Sequence, residues 1–335
     1  MDGCGRLGVG LHAGAGQKET LLYRCAAKAC GSNKDWRYNE NSLEYWSLNH
    51  TLTTRALAGF LLCFSASASD DVLDRAKDLY QHTDYRASLQ VLATDPAPGA
   101  ATHSLTGKNY LMLGELKKAT ESFEQAIALA PMNAEYALWL GRTYGRRAET
   151  GGWMVAGFHA SKARQYLEKA VALSPHYNEA LNDLFAYYLE APGFLGGGWD
   201  KAEATALRIA ERSPAEYHFA EAQLADKRKE YPAAEQQFRR AMELAPREVG
   251  RVIDLACYLA KRGRMEESEA VFAQAEKLKP NDPRVDFARA KVYVEHKRSL
   301  EEARQLLRKY LAADITPDDP PKQAAEKLLQ QALGS

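Results

Sequence analysis

The sequence predicts an all-α fold in which helix-turn-helix repeats stack into a solenoid, and two observations lead to that prediction. Prolines recur at positions 131, 175, 214, 246 and 280, which gives spacings of 44, 39, 32 and 34 residues. Upstream of each proline, residues that follow one another in steps of four and three form a single helix face. A period of this length is typical of stacked helical repeats.

The second helix of each repeat carries a recurring set of small and larger apolar residues. The sets are Ala119, Phe123, Ala126; Ala163, Leu167, Ala170; Ala202, Ala206, Ile209; Ala234, Phe238, Ala241; and Ser268, Phe272, Ala275. The small residues let a neighbouring helix approach closely, and the larger residue fills the remaining space. This face therefore predicts tightly packed helix pairs.

The first helix of each repeat carries a shorter pattern of a small or apolar residue followed by tyrosine. The pairs are Gly107 with Tyr110, Gly141 with Tyr144, Phe185 with Tyr188, and Ala290 with Tyr293, and weaker matches are Ala222 with Ala225 and Ala256 with Leu259. Gly114 and Gly263 fall where two helices must be joined by a tight turn, a backbone that glycine tolerates.

Both ends of the array depart from the pattern, as capping repeats do. The first repeat, with Ala76, Tyr80, Ala87 and Val91, is degenerate, and the last, with Ala303, Leu307 and Tyr310, lacks its proline. The proline-rich stretch 316–321 then breaks the helix, and residues 321–333 are predicted to form a capping helix within the segment 312–335. Its apolar stripe consists of Ala324, Ala325, Leu328, Leu329 and Leu333.

These residues resemble the tetratricopeptide repeat (TPR) family, whose unit of about 34 residues has Gly and Tyr in its first helix, Ala, Phe and Ala in its second, and Pro at its end. The resemblance covers residues 70–311 and implies a right-handed α-solenoid of about seven repeats. The string APGFLGGG, with YYLE before it and DKAEA after it, is also similar to a subgroup of bacterial, often exported, TPR proteins without an assigned activity.

Repeats three and four are longer than the others. The span from Tyr110 to Ala119 is nine residues, whereas Tyr144 to Ala163 spans nineteen and Tyr188 to Ala202 spans fourteen. The inserted strings are GGWMVAGF at 151–158 and APGFLGGGWD at 191–200. We expect both inserts in the turn between the two helices, side by side on one edge of the solenoid.

Four aromatic residues, Trp153, Phe158, Phe194 and Trp199, lie in these inserts although turns are usually polar. In one interpretation the four rings pack on one another and close a small satellite core. In the other they form a recognition patch, since aromatic residues dominate binding hot spots. We expect packing for most of them, with one or two still within reach of a partner.

In the TPR family the first helices line a concave surface that grips peptides. The resemblance places on this face Lys108, Met112, Glu135, Leu138, Arg142, Arg146, Glu179, Asn182, Phe219, Gln223, Lys227, Ile253, Lys261, Phe287 and Lys291. The predicted partner contacts among them are Lys108, Leu138, Arg142, Arg146, Asn182 and Phe219. The basic members are expected to form a cationic strip for a carboxylate or an acidic segment, and a solvated charged face is the alternative interpretation.

The apolar run at residues 56–64 is too short for a membrane-spanning helix, which needs roughly 20 residues. Its length suits a signal peptide, because Arg55 precedes it and Ala66-Ser67-Ala68 supplies a cleavage pattern. We predict a signal peptide at 51–68 and a periplasmic or secreted mature chain without stable membrane insertion. Residues 1–50 are either a disordered extension of the protein or a mis-assigned segment, with translation beginning near Leu48. If the extension is genuine and blocks export, we expect the chain in the cytoplasm.

Charge and motifs point away from several classes of function. Lys plus Arg equals Asp plus Glu at 44 each, so no global field favours nucleic acid. The five cysteines (4, 25, 30, 63 and 257) lack the spacing of a closed zinc site. The GCGRLG string at 3–8 fits a dinucleotide fingerprint, yet no strand precedes it. We expect no catalytic site, no metal and no cofactor.

The sequence thus predicts a non-catalytic protein–protein interaction scaffold of the bacterial cell envelope, which binds peptide or helical segments in the groove and near the inserted edge. One alternative is an enzyme or small-ligand binder with a site under the inserts of repeats three and four. Another is a purely structural subunit of an envelope complex. The partner and the oligomeric state stay open.

Overall fold

The computed structural model describes residues 70–334, apart from the side chain of Trp153, and this part of the chain contains helices and no strands. The helices are α1 (residues 70–81), α2 (Tyr85–Leu92), α3 (Ala100–Met112), α4 (Leu116–Leu129), α5 (Ala134–Thr150), α6 (Trp153–Leu173), α7 (Asn178–Glu190), α8 (Trp199–Ala210), α9 (Pro214–Lys227), α10 (Tyr231–Leu244), α11 (Val249–Lys261), α12 (Met265–Leu278), α13 (Pro283–Glu295), α14 (Leu300–Ala312) and α15 (Lys322–Gly334).

Consecutive helices pair, so that α1 to α14 form seven hairpins and α15 follows as a cap. Each hairpin packs on the next, and the buried apolar residues form a row of small cores along the array rather than one central core. The all-α solenoid of about seven repeats is thereby confirmed. None of the helices in the described range combines the length and apolar character that crossing a bilayer requires.

Close helix crossings lie where the sequence predicts them. A Cβ atom placed on Gly107 in α3 would lie 2.9 Å from the ring of Phe123 in α4, and one on Gly141 in α5 would lie 3.0 Å from Leu167 in α6. Contacts this short leave no room for a side chain at either glycine. The small residues therefore set how closely the two helices of a repeat approach.

The register predicted for the first repeat is wrong by one residue. Ser88 and Leu92 are the buried residues of α2, whereas Ala87 and Val91 are only partly buried. The Ser88 hydroxyl donates to the backbone carbonyl of Ala76 at 2.8 Å, and Ser268 in repeat six donates to Ala256 in the same way at 2.8 Å. Serine thus replaces the usual alanine because its hydroxyl finds an acceptor twelve residues upstream.

The capping helix exists and packs on α14, with one change from the predicted stripe. Ala325 and Ala332 are completely buried, while Leu333 is exposed and does not belong to the packed face. The loop before α15 is held by the Tyr310 hydroxyl, which donates to the carbonyl of Pro320. Residues 1–50 and the predicted signal peptide at 51–68 lie outside the described residues.

Candidate partner-binding surfaces

Ion pairs connect the first helices of successive repeats and run along the surface that these helices form, which we call the inner face. Lys108 in α3 contacts Glu135 in α5 at 2.6 Å, and Arg142 in α5 contacts both Glu179 and Asp183 in α7. The series continues through the bonds Asn182–Glu216, Arg251–Glu216 and Lys261–Asp226. Five consecutive first helices are therefore joined by polar contacts.

These contacts form a ladder of ion pairs in which Arg142 and Arg251 are the two buried cations. The Nε of Arg142 lies 2.5 Å from Asp183 and its Nη2 lies 3.0 Å from Glu179, while the ring of Trp139 lies 4.9 Å from its guanidinium carbon. Burial opposes the charge on Arg142, but the two carboxylates outweigh it and raise its pKa. Burial raises the pKa of Asp183, and Arg142 opposes that rise. The guanidinium is thus committed to internal partners.

The predicted cationic strip of Lys108, Arg142 and Arg146 is therefore wrong as a free anion site. Lys108 and Arg142 are ion-paired to carboxylates of the next repeat, whereas the side chain of Arg146 is about half exposed and lies 3.9 Å from Glu149 on its own helix. The cations are neutralised because the first helix of the next repeat places carboxylates beside them. No sequence spacing within one repeat reveals such pairs.

Leu138 is completely buried in the core between repeats three and four, so the prediction that it contacts a partner is wrong. Phe287 is likewise buried, against Tyr310. Asn182 and Phe219 remain partly accessible on the inner face; the Asn182 amide donates to Glu216, and the guanidinium carbon of Arg251 lies 4.1 Å from the ring centre of Phe219. The accessible inner face is thus polar with interspersed rings.

Residues of the first hairpin lie within electrostatic range of the segment before α15. Burial raises the pKa of Tyr85 in the first hairpin, and the carboxylates of Asp319 and Asp318 before α15 raise it further. Burial also raises the pKa of Tyr80, with Asp318 adding to the rise and Arg142 opposing it. Phenols of repeat one therefore lie within electrostatic range of repeat three and of the C-terminal loop.

The insert of repeat three was predicted to lie in a turn, but in the structure it lengthens the two helices. Helix α5 continues to Thr150 and α6 begins at Trp153, so only Gly151 and Gly152 connect them. The insert of repeat four is a turn, as expected, with a short 3₁₀ helix at Gly193–Leu195. We call the surface formed by residues 151–158 and 191–199 the insert edge.

The aromatic rings of the insert edge do not pack on one another in the described part of the structure. Phe158 contacts His159 edge-on at 5.4 Å, Phe194 projects into solvent, and the guanidinium carbon of Arg228 lies 5.2 Å from the ring centre of Trp199. The expectation of a satellite core is wrong for these three rings: Phe158 lies on an exposed face of α6, and Phe194 and Trp199 in the second insert are also exposed. The side chain of Trp153 lies outside the described residues.

Beneath the insert edge, His159 is buried between the rings of Tyr144 and Phe158. Burial lowers its pKa, and the positive charge of Arg147 lowers it further. Its Nδ1 atom has no hydrogen-bond partner among the residues that the structure describes. The neutral imidazole therefore acts as a packing ring that bridges the two helices of repeat three.

Comparison with known proteins gives the same repeat. Residues 253–320 match the model of the tetratricopeptide repeat family. A solved tetratricopeptide repeat protein from Parabacteroides merdae ATCC 43184 superposes with a TM-score of 0.53 at 16% identity, over 80% of this chain and 99% of that one. The described part of the chain has the tetratricopeptide repeat fold. No curated protein matches the sequence.

Other TPR structures superpose less well. A thermophilic TPR protein of Thermus thermophilus gives a TM-score of 0.48 at 21% identity, over 57% of this chain and 99% of that one. A chain of the Cut9–Hcn1 hetero-tetramer gives 0.46 at 16% identity, over 77% of this chain and 48% of that one. The assignment of the fold rests on the first comparison, and the similarity of the APGFLGGG string to an exported subgroup stays a prediction.

Sequence reasoning missed the acidic half of the TPR inner face. Asp183, Glu216 and Asp226 accept the ion pairs from neighbouring repeats, and none of them belongs to the repeat pattern. One signal was available: Glu179 and Asp183 are four residues apart on α7, so they present two carboxylates to the preceding helix. Their partner, Arg142, could be identified only from the packing of α5 against α7.

Proposed function

We propose that this chain is a non-catalytic adaptor that holds an extended peptide or a helix of a partner protein against its inner face. TPR proteins are generally protein–protein interaction scaffolds, so the fold supports the class of function. The observation that carries the proposal is the ladder of ion pairs, in which two carboxylates keep part of their surface in solvent. The exposed fractions of the side chains are 45% for Glu135 and 28% for Glu179.

The part of this face around Glu135 and Glu179 suits a basic residue of a partner rather than the acidic segment that the sequence suggested. Arg142 and Arg251 are buried and face carboxylates of this chain, whereas the side chains of Glu135 and Glu179 are 45% and 28% exposed. Such carboxylates can accept hydrogen bonds from an arginine or lysine of a partner while the internal pairs persist. Partly buried rings such as Phe219 add apolar contact beside them.

A photo-crosslinking residue placed at Asn182 tests the proposal directly. We expect it to trap a protein partner in cells, whereas the same residue at Arg240, which is exposed on the second helix α10, traps none. With the purified partner, Asn182→Trp should then weaken binding about tenfold or more by filling the face, and Arg240→Trp should leave it unchanged. Equal crosslinking at both positions, or tight binding by Asn182→Trp, contradicts the proposal.

We further propose that the adaptor acts in the bacterial cell envelope after export. The support is the apolar run at 56–64 with its cleavage pattern at residues 66–68. N-terminal sequencing of the natural product checks this proposal, and we expect a mature chain that starts near Ser69. A product that retains residues 1–47 excludes both cleavage there and a start near Leu48.

A further inference from the structure

The insert edge carries an apolar crest, which we define as Met154, Val155, Phe158 and Phe194. Met154 is 78% exposed, Phe158 60% and Phe194 87%. Met154 and Phe158 are four residues apart and therefore share one face of α6. A Cβ atom on Gly157 would lie 3.8 Å from the side chain of Leu195, which brings Phe194 beside the same turn of α6. Large apolar side chains grouped in solvent mark a surface that something covers.

The loop that carries Phe194 is held in place by hydrogen bonds. The Tyr187 hydroxyl donates to the carbonyl of Leu195 at 2.9 Å, and Lys201 Nζ donates to the carbonyl of Gly196 at 2.9 Å. Its backbone amides also bond within the turn, from Gly197 to Pro192 at 3.3 Å. The loop therefore holds Phe194 in a fixed position, which lowers the entropic cost of burying this side chain when a ligand binds.

Three cations surround the crest. Lys162 Nζ lies 6.0 Å from the ring centre of Phe158, Arg164 lies against Gly196, and Lys201 is bonded to that glycine's carbonyl. In the described range none of the three forms an ion pair with a carboxylate, whereas Lys108, Lys227 and Lys261 on the inner face each do. The insert edge thus holds three cations that pair with no carboxylate of the described residues, beside the exposed side chain of Asp200.

We propose that the insert edge binds the surface of an anionic lipid bilayer, with the crest among the upper acyl chains and the three cations at the phosphate headgroups. Exposed apolar side chains bordered by Lys and Arg are the arrangement that interfacial binding requires, and long basic side chains reach headgroups while their stems stay in the apolar layer. Met154 and Phe194 are 78% and 87% exposed, so these side chains extend into solvent, which favours a fluid layer over a protein helix as their occupant. This surface is separate from the inner face, so the adaptor would hold its partner while lying on a membrane.

Co-sedimentation of the full chain with vesicles tests the proposal. The probes are phosphatidylcholine vesicles with about a third phosphatidylglycerol and vesicles of phosphatidylcholine alone, since anionic headgroups supply the attraction. We expect binding to the first that weakens as salt is added, and much weaker binding to the second. Phe194→Ser should lower the partition coefficient about tenfold or more, because one buried Phe side chain is removed. Lys162→Gln should lower it less and flatten the salt dependence.

Met132→Ser is the matched control, because Met132 is 77% exposed and lies in a connection between repeats, on the opposite edge of the solenoid. It should bind anionic vesicles as the wild type does, and unchanged melting temperatures show that all variants fold. The proposal is overturned if the wild type stays in the supernatant with anionic vesicles, or if Phe194→Ser sediments as fully as the wild type. Loss of a protein partner by Phe194→Ser, with no vesicle binding by the wild type, assigns the crest to a protein instead. Crosslinking at Asn182 is independent of all these outcomes.

Discussion

Single residues set how closely the two helices of each repeat pack. Gly107 meets the ring of Phe123, Gly141 meets Leu167, and in repeats five and six alanine stands at the corresponding positions. Because interiors are packed at crystal-like density, such a position does not accept a larger side chain without a shift of the helix.

Gly107→Ala is expected to destabilise the protein by about 1–3 kcal/mol, because the added Cβ would lie 2.9 Å from the Phe123 ring. Gly145→Ala, in the neighbouring α5, is the control, since a Cβ there meets nothing within 4 Å. That change should be neutral or stabilise by up to about 1 kcal/mol through helix propensity. Denaturant unfolding measures both, and a Gly107→Ala variant as stable as the control contradicts the packing argument.

His159 makes stability depend on pH in a definite direction. Burial and Arg147 lower its pKa from the ordinary value of 6.5, so the unfolded chain takes up the proton first as the pH falls. The contribution of the neutral ring is therefore complete above about pH 6.5 and is lost as the pH falls below that value. His159→Phe should lack this part of the acid destabilisation. Unfolding free energies compared at about pH 7.5 and 5.5 test it, and parallel losses in both proteins count against it.

Four of the seven helix pairs are joined by one recurrent turn, whose left-handed residue lies five positions before the buried small residue of the second helix. Gly114 and Gly263 occupy it with φ of 76° and 77°, and Thr83 and Lys229 adopt the same left-handed backbone with φ of 60° and 64°. The glycines were predicted from the sequence, whereas the two other residues carry no such signal. The geometry of the hairpin thus imposes a backbone that a residue with a Cβ adopts only at a cost.

Lys229→Gly should therefore stabilise the protein by roughly 0.5–1 kcal/mol, since the native φ of 64° no longer strains a side chain. The reverse change, Gly263→Lys, should destabilise it by about 1 kcal/mol, because a Cβ there meets no atom within 4 Å and the cost comes from the backbone alone. Thermal unfolding reports both shifts. Shifts of the same sign in the two variants rule out backbone strain as the cause.

Across the described part of the chain, each repeat contacts mainly its neighbours, so stability is the sum of packing within each repeat and packing between adjacent repeats. The buried contact of Arg142 with Asp183 and Glu179 connects repeats three and four at the centre of the array. Burial and the carboxylates of Asp319 and Asp318 raise the pKa of Tyr85, so the first hairpin lies within electrostatic range of the segment before α15.

Arg142→Ala should destabilise the protein by about 3–5 kcal/mol, because it leaves Asp183 buried without its counter-charge. Unfolding should also become broader, as the array separates at the weakened interface. Arg146→Ala is the control: the side chain is about half exposed on the same helix and should change stability by less than about 0.5 kcal/mol. Similar losses from the two variants, or a sharp transition in Arg142→Ala, contradict the role of this pair.

The sequence by itself determined the repeat, because proline spacing and the small-residue faces are local patterns that fix which helices pair. It also located both inserts and the tight-turn glycines. Only the tertiary structure decided the partners of Lys108 and Arg142, the burial of Leu138 and the outward position of Phe158 and Phe194. These features depend on how one repeat is positioned against the next. That position is set by many weak contacts between repeats, which no single segment of the sequence encodes.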